Sequence, residues 1–400
     1  MPKTIHDALA HHQQGRLHEA EAIYLDLLLK QPNDVDALHY LGVLRMRQGR
    51  LDEAIDFVKR ALKLAPHNAD AWNNLGNMLL AGNNEKGAEF AYTYATNQKP
   101  DYAEAWYNLA NLLRRQRRRN EAVKCYRRVI ELNPRFAGAY ENIALLFLRI
   151  GRPDLTADVY RRWLTVEPDN PIARHMAAAY SNEAAPVRAE DEYVTKIFDR
   201  FADTFDEALA KLHYAAPGLL TAALTEVIPF TERRLVILDA GCGTGLCGPL
   251  LRSSARQLVG VDLSAGMLAK ARERQVYDEL HGSELVAFMR AHPREYDVVI
   301  SADTLVYFGA LEDVTNAAAS ALKPGGVLAF TVEAEPVGSS EKFRLHQSGR
   351  YSHSSDYVRE CLEAAGFAVL LIEGAVLRKE GGLDMLGHVV LAKMGSGPVS

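Results

Sequence analysis

Cysteine is scarce in this sequence: its 400 residues include four, Cys125, Cys242, Cys247 and Cys361, and none has the paired spacing of a zinc site. That excludes a disulfide-stapled secreted scaffold and predicts reduced thiols in a reducing compartment, with the cytoplasm as the default location. The histidines, among them His213, His281, His292 and His388, are scattered, so no metal is expected. Long apolar runs are also missing. No uncharged stretch approaches the ~20 residues of a membrane span, and the opening seven residues lack the apolar core of a secretory signal. A large charge of one sign is absent as well: the formal net charge is −5, which argues against a general nucleic-acid binder.

The charge that is present is uneven. Residues 1–168 hold 24 Lys and Arg against 20 Asp and Glu, and the remainder holds 22 against 31. Two or three domains are expected, because single cores stop growing at roughly 250 residues. The densest basic cluster, Arg114, Arg115, Arg117, Arg118 and Arg119, could attract nucleic acid or an acidic protein, and its plainer reading is a solvated helix end and turn.

Prolines stand at 32, 66, 100, 134 and 168, a period of 34 residues. Within each interval small residues recur at Gly42, Gly76, Ala110 and Ala144, and again at Ala20, Ala54, Ala88 and Ala122. Bulky rings recur at Trp72, Trp106 and Tyr140, and at Tyr24, Tyr92, Tyr126 and Tyr160. Small residues let two antiparallel helices approach, aromatics wedge between neighbouring pairs, and proline stops the second helix. The pattern resembles the tetratricopeptide family. Five repeats then span residues 1–168, with Thr4 and Thr156 departing from the pattern in the terminal units, and a capping helix over residues 170–180 completes a domain of residues 1–185. The resemblance implies a groove for a protein or peptide, lined by Asn73, Asn77, Tyr107, Asn111, Arg114 and Arg115. Self-association of the array as a homodimer, or service as a spacer, are its other uses.

The second half is organised around residues 235–245, Leu-Val-Ile-Leu-Asp-Ala-Gly-Cys-Gly-Thr-Gly. Four apolar residues running into an acid and three alternating glycines predict a strand buried on both faces that enters a ligand loop. A helix predicted over residues 246–255 would aim its N-terminal dipole at the ligand. Gly243, Gly245 and Gly248 match the dinucleotide fingerprint, but Asp239 would repel a pyrophosphate and suits the cationic ammonium of S-adenosylmethionine. The words from Leu238 to Gly245 resemble the first motif of class I S-adenosylmethionine-dependent methyltransferases. A second predicted strand ends at Asp262, an acid suited to both ribose hydroxyls.

The resemblance covers about residues 195–394 and implies a Rossmann-like α/β domain over residues 231–400. Its sheet is expected to be seven-stranded and mostly parallel, with an antiparallel strand at the C-terminus, so that the fold class is an all-α tetratricopeptide superhelix followed by this domain. A third strand is expected within residues 275–280, a fourth over 296–303, a Lys-Pro-Gly-Gly turn at 323–326, a fifth over 327–332 and a final pair over 367–372 and 388–393. Residues 186–230 are expected to be a linker followed by lid helices, where Phe198-Asp199 and Phe205-Asp206 repeat a motif and some rings anchor while others cover the cofactor. The cofactor set implied is Asp239, Gly241, Cys242, Gly243, Gly245, Asp262, Leu263, Met267, Glu284, Ser301 and Asp303, with Glu284 preferred to Asp278 as the adenine-contacting acid. Tyr307, Tyr351 and His353 are candidates for the acceptor pocket.

The function expected is an S-adenosylmethionine-dependent methyltransferase whose repeats recruit a protein partner or substrate. Two alternatives are a non-catalytic adaptor that senses the cofactor, and an enzyme on a small molecule or lipid with repeats used for assembly.

Overall fold

The computed structural model describes residues 4–181, 184–228, 233–336 and 338–395. The chain divides into two compact units, Met1–Glu167 and Pro168–Ser400.

The first unit is five antiparallel helix pairs: Ile5–Gln13 with Leu17–Lys30, Val35–Arg47 with Leu51–Leu64, Ala69–Ala81 with Glu85–Gln98, Ala103–Arg115 with Arg119–Leu132, and Ala137–Arg149 with Pro153–Val166. Consecutive helices pack on one another, as the 34-residue period requires. Gly76 shows why a small residue recurs. A Cβ there would stand 2.5 Å from the ring of Tyr92 in the second helix of the same pair. The aromatic therefore fills the space within its own pair rather than between pairs. The first-helix aromatics do a different job: Trp72 and Trp106 donate ring N–H bonds to the carbonyls of Pro66 and Pro100 at 2.8 and 3.1 Å, and the Tyr140 hydroxyl donates to Pro134 at 3.0 Å. Each ties the start of a repeat to the proline that ended the one before.

Asn73 does not lie open in a groove. It is 2 % exposed, donates to the Tyr102 hydroxyl at 3.4 Å and accepts from the Asn108 amide at 2.9 Å. The Asn77 and Asn111 carbonyls accept from the hydroxyls of Tyr92 and Tyr126, at 2.7 and 2.6 Å. In the basic cluster Arg115 pairs with Glu85 and Arg118 with Glu89 and Glu121, so much of its charge is internally compensated.

The second unit is one nine-stranded sheet with helices on both faces. Its strands are β1 (Leu235–Ala240), β2 (Ala255–Asp262), β3 (Glu279–Gly282), β4 (Tyr296–Ser301), β5 (Leu322–Ala334), β6 (Phe343–Leu345), β7 (Tyr351–His353), β8 (Phe367–Glu380) and β9 (Leu383–Met394). The parallel run β3-β2-β1-β4-β5 continues from β5 into antiparallel β9 and then β8. Those seven strands are the mostly parallel sheet that the sequence predicts. β6 and β7 are two strands more, a hairpin in which β7 pairs with β5 at Glu333 and Ala334.

Several boundaries differ from expectation. β3 begins at Glu279, because Asp278 turns its carboxylate back onto the Leu258 N–H and Arg252. The helix after the glycine loop shrinks to Gly248–Leu251. The Lys-Pro-Gly-Gly turn is an irregularity inside β5, where pairing with β4 jumps from Leu322 to Val327. The expected linker is not free chain: Gly309 and Ala310 donate N–H bonds to the Val187 carbonyl, and the Ala189 N–H donates to Tyr307. The helix Pro171–Ala179, expected to cap the repeats, belongs to the second unit. There the His175 ring donates to the Gly349 carbonyl at 2.8 Å and stacks on Tyr193 at 4.0 Å.

Candidate active site

Strand order reverses on the two sides of β1, which has β2 on one edge and β4 on the other. Such a switch point opens a crevice beyond the carboxyl ends of the strands. A cavity open to solvent lies there.

The glycine loop forms one wall. Gly241, Gly243 and Gly245 all have left-handed backbone, with φ of +77°, +55° and +84°. Gly241 is also packed so closely against Thr304 that a Cβ would collide with its side chain. Asp262, at the end of β2, accepts the Gly243 N–H at 2.9 Å and the Ser264 N–H at 2.8 Å. Burial raises its proton affinity, and those N–H groups pull it back. Asp239 is 1 % exposed; burial pushes its pKa up to about 7, against the opposing pull of the Tyr277 hydroxyl, which donates to it at 2.6 Å.

Asp239, Gly241, Cys242, Gly243, Asp262, Leu263, Met267, Glu284 and Asp303 all line the cavity. Ser301 and Gly245 do not. Ser301 donates its hydroxyl to the Ala240 carbonyl at 2.8 Å and ties β4 to β1, while Gly245 turns the loop by donating its N–H to Cys242. Glu284 accepts two N–H bonds at the start of helix Leu285–Ala291 and pairs with Arg188 at 2.9 Å. Asp278 is absent from the cavity lining, held instead by Arg252.

Of the three acceptor-pocket candidates, only Tyr307 lines the cavity. Tyr351 and His353 are corrected to core residues. The Tyr351 hydroxyl donates to the Pro186 carbonyl at 2.9 Å, and the His353 ring donates to the Gly309 carbonyl at 3.0 Å. Burial lowers the pKa of His353 to about 4, so its ring is neutral and already committed.

The lid helices are Asp191–Phe201 and Phe205–Lys211. Phe198 and Phe205 both line the cavity, with ring centroids 5.9 Å apart, whereas Tyr193 is buried against His175. The acid after each phenylalanine is a fastener. Asp199 accepts the Ser264 hydroxyl at 2.5 Å and the Gly266 N–H at 3.1 Å. Asp206 accepts the Thr244 hydroxyl at 2.5 Å and pairs with Arg274.

Sequence reasoning missed four further lining residues, Tyr214, Arg350, Arg378 and Glu380, which join Asp303 and Tyr307 in the cavity. Arg378 is 2 % exposed inside β8, yet in the sequence it opens the charged run Arg378-Lys379-Glu380, so nothing there marked it as buried. All four cysteines are buried and unpaired, and burial raises their thiol pKa values, those of Cys125 and Cys361 to about 11. No group of three or more His, Cys, Asp or Glu among the described residues is arranged to hold a metal ion.

A family model described as a methyltransferase domain matches residues 237–326, the stretch from β1 through the bulge in β5. Models of the tetratricopeptide repeat match residues 8–69, 58–103 and 103–136. The chain carries tetratricopeptide repeats and a methyltransferase domain. Similar relatives include Methyltransferase-like protein 27 of Homo sapiens, 35 % identical over 140 residues, which are 34 % of this chain and 55 % of that protein. The malonyl-[acyl-carrier protein] O-methyltransferase of Enterobacter lignolyticus (strain SCF1) is 37 % identical over 95 residues, 24 % of this chain and 38 % of that one. The chain thus spans about half or less of the length of these relatives. Among solved structures, the crystal structure of MamA has 26 % identity and a TM-score of 0.38, covering 42 % of this chain and 97 % of that one. No described helix is long and apolar enough to cross a membrane.

Proposed function

We propose that the methyltransferase domain transfers a methyl group from S-adenosylmethionine to an acceptor that the repeats recruit as, or with, a protein partner. The observation that carries this reading is the pair of acids at neighbouring strand ends, Asp239 and Asp262, on either side of a left-handed glycine loop in one cavity. Asp262 is suited to the ribose hydroxyls, since a carboxylate that accepts two N–H bonds retains lone pairs for two O–H donors. Asp239 suits the ammonium of the methionine moiety, Glu284 lies where the adenine edge is expected, and Leu263 and Met267 offer apolar contact to the base. Three acids at this end favour a cationic ligand over a pyrophosphate. When bound, the cofactor supplies an already activated sulfonium methyl. The protein's share is to position the acceptor behind that methyl and exclude water, for which Phe198 and Phe205 form a cover.

For the repeats, the residues left to meet a partner are Asn77, Tyr107, Asn111, Arg114 and Arg115. The names of the relatives support the reaction class; they leave the acceptor open.

Titration calorimetry of the full chain with S-adenosylmethionine, followed by incubation of a cell extract with the methyl-labelled cofactor, tests the reading. Binding with labelling of an acceptor supports it, and labelling should fall when Asn77, Asn111, Arg114 and Arg115 are replaced by alanine. Binding without transfer makes the domain a sensor. Absence of binding sinks the proposal.

A further inference from the structure

Around the cavity most hydroxyl groups are spent within the protein: Tyr277 donates to Asp239 at 2.6 Å, Thr244 to Asp206 at 2.5 Å and Thr304 to the Gly241 carbonyl at 3.2 Å. Tyr214 and Tyr307 differ. Both line the cavity, and neither hydroxyl has a hydrogen-bond partner among the described residues. Asp239 is among the charges that act on the Tyr214 hydroxyl, whereas the foremost charges on Tyr307 are Arg350, Asp303, Arg378 and Glu333.

The backbone enforces the place of Tyr214. His213, just before it, has φ of +52°, a left-handed conformation that persists in a residue with a Cβ only where the surroundings hold it. The hold is present on both sides: the Lys379 N–H donates to the Leu212 carbonyl at 2.6 Å, and the Ala215 N–H donates to the Leu377 carbonyl at 2.9 Å, so the turn is strapped to β8. The helix that follows, Ala216–Val227, packs Leu220 and Leu224 into the apolar cluster of Cys247 and Leu251, at the end of the glycine loop. Burial, and after it Asp303, raises the Tyr214 pKa well above the ordinary 10, so the hydroxyl keeps its proton and can donate.

The methionine end of S-adenosylmethionine is a zwitterion, with ammonium and carboxylate on one carbon. An acid that takes the ammonium draws the carboxylate close to itself, and the two anions repel unless a donor stands beside them. We infer that the Tyr214 hydroxyl is that donor, binding the methionine carboxylate of the cofactor while Asp239 binds its ammonium. This deepens the proposed function and rests on it. The rival donor in the lining, Arg350, is already paired with Glu333 at 2.8 Å and with Glu380.

The test compares two ligands of the full chain by titration calorimetry: S-adenosylhomocysteine, and its decarboxylated analogue, which keeps the ammonium and lacks the carboxylate. Tyr214→Phe is expected to weaken S-adenosylhomocysteine about fivefold or more, the scale of a hydrogen bond to a charged group, and to leave the analogue within about twofold. Where the analogue binds too weakly for direct titration, displacement by S-adenosylhomocysteine supplies its affinity. Should Tyr214→Phe fail to fold, Tyr214→Met, which also lacks the donor, carries the same comparison. Equal weakening of both ligands overturns the inference by reducing Tyr214 to a wall, and a selective loss in Arg350→Gln with none in Tyr214→Phe overturns it by giving the carboxylate to Arg350. If S-adenosylhomocysteine does not bind the unaltered chain, the proposed function falls and this inference with it; binding that Tyr214→Phe leaves intact sinks the inference alone.

Discussion

The carboxylate of Asp262 accepts the backbone N–H of Gly243 at 2.9 Å, so the end of the second strand braces the middle of the glycine loop. One acid thereby fixes the loop and, on the proposed function, meets the ribose. Asp262→Ala is expected to weaken S-adenosylmethionine binding by about 1–3 kcal/mol, the range for losing hydrogen bonds to a charged group. Titration calorimetry measures it, with circular dichroism to show that the fold survives; unchanged affinity would reject the ribose role.

Asp239 gives a pH dependence. Its folded pKa, about 7, lies above the ordinary 3.8, so the folded state holds a proton that the unfolded chain has released. Its contribution to stability is complete below about pH 4 and is lost as pH rises through 7. A bound ammonium favours the charged carboxylate, and binding should therefore release a proton. Near pH 6.5, calorimetric titrations in two buffers of different ionisation enthalpy should show that release, and Asp239→Asn should abolish it. Equal apparent enthalpies in both buffers would remove Asp239 from the ammonium site.

Asp206 fastens a lid helix to Thr244 in the glycine loop. Asp206→Ala is expected to weaken cofactor binding by about 1 kcal/mol, roughly fivefold, and to make the segment around Phe205 more sensitive to protease at equal cofactor saturation. An unaltered cleavage rate would show that Phe205 covers the cavity without this fastener.

Within the repeats, Asn73→Ala removes two buried hydrogen bonds and leaves the Asn108 amide without its acceptor. A loss of about 1–3 kcal/mol in stability is expected from urea denaturation. A change below about 0.5 kcal/mol, the scale of ordinary surface substitutions, would return Asn73 to the open groove.

Residues 168–400 should melt at least about 5 °C above residues 186–400, since the shorter fragment loses Ile172, His175 and the stack on Tyr193. Equal melting temperatures would show that this helix adds nothing to the second unit.

Much of the architecture was legible because it rests on local rules. A 34-residue period, small residues opposite aromatics, and apolar runs ending in Asp239 and Asp262 each constrain the backbone without knowledge of distant neighbours. Asn73 misled because one helical position separates a groove residue from a buried one, and the Asn108 partner lies 35 residues away. Arg350 and Arg378 escaped because only the pairing of β7 with β5 and of β8 with β9 brings them beside Asp303. Tyr351 and His353 lie on the correct edge of the sheet but turn inward, a matter of side-chain direction in a three-residue strand. β3 was misplaced because four residues of mixed polarity carry almost no periodicity.

The segment at residues 187–189 is bonded by its backbone to Tyr307, Gly309 and Ala310. It is therefore in mechanical series with the rim of the cavity. Tension applied to the chain ahead of residue 187 is shared between the Tyr351 hydroxyl, which holds the Pro186 carbonyl from β7, and those three hydrogen bonds at the loop that carries the Tyr307 ring. A strap with that geometry couples pull on the preceding chain to the mouth of the site.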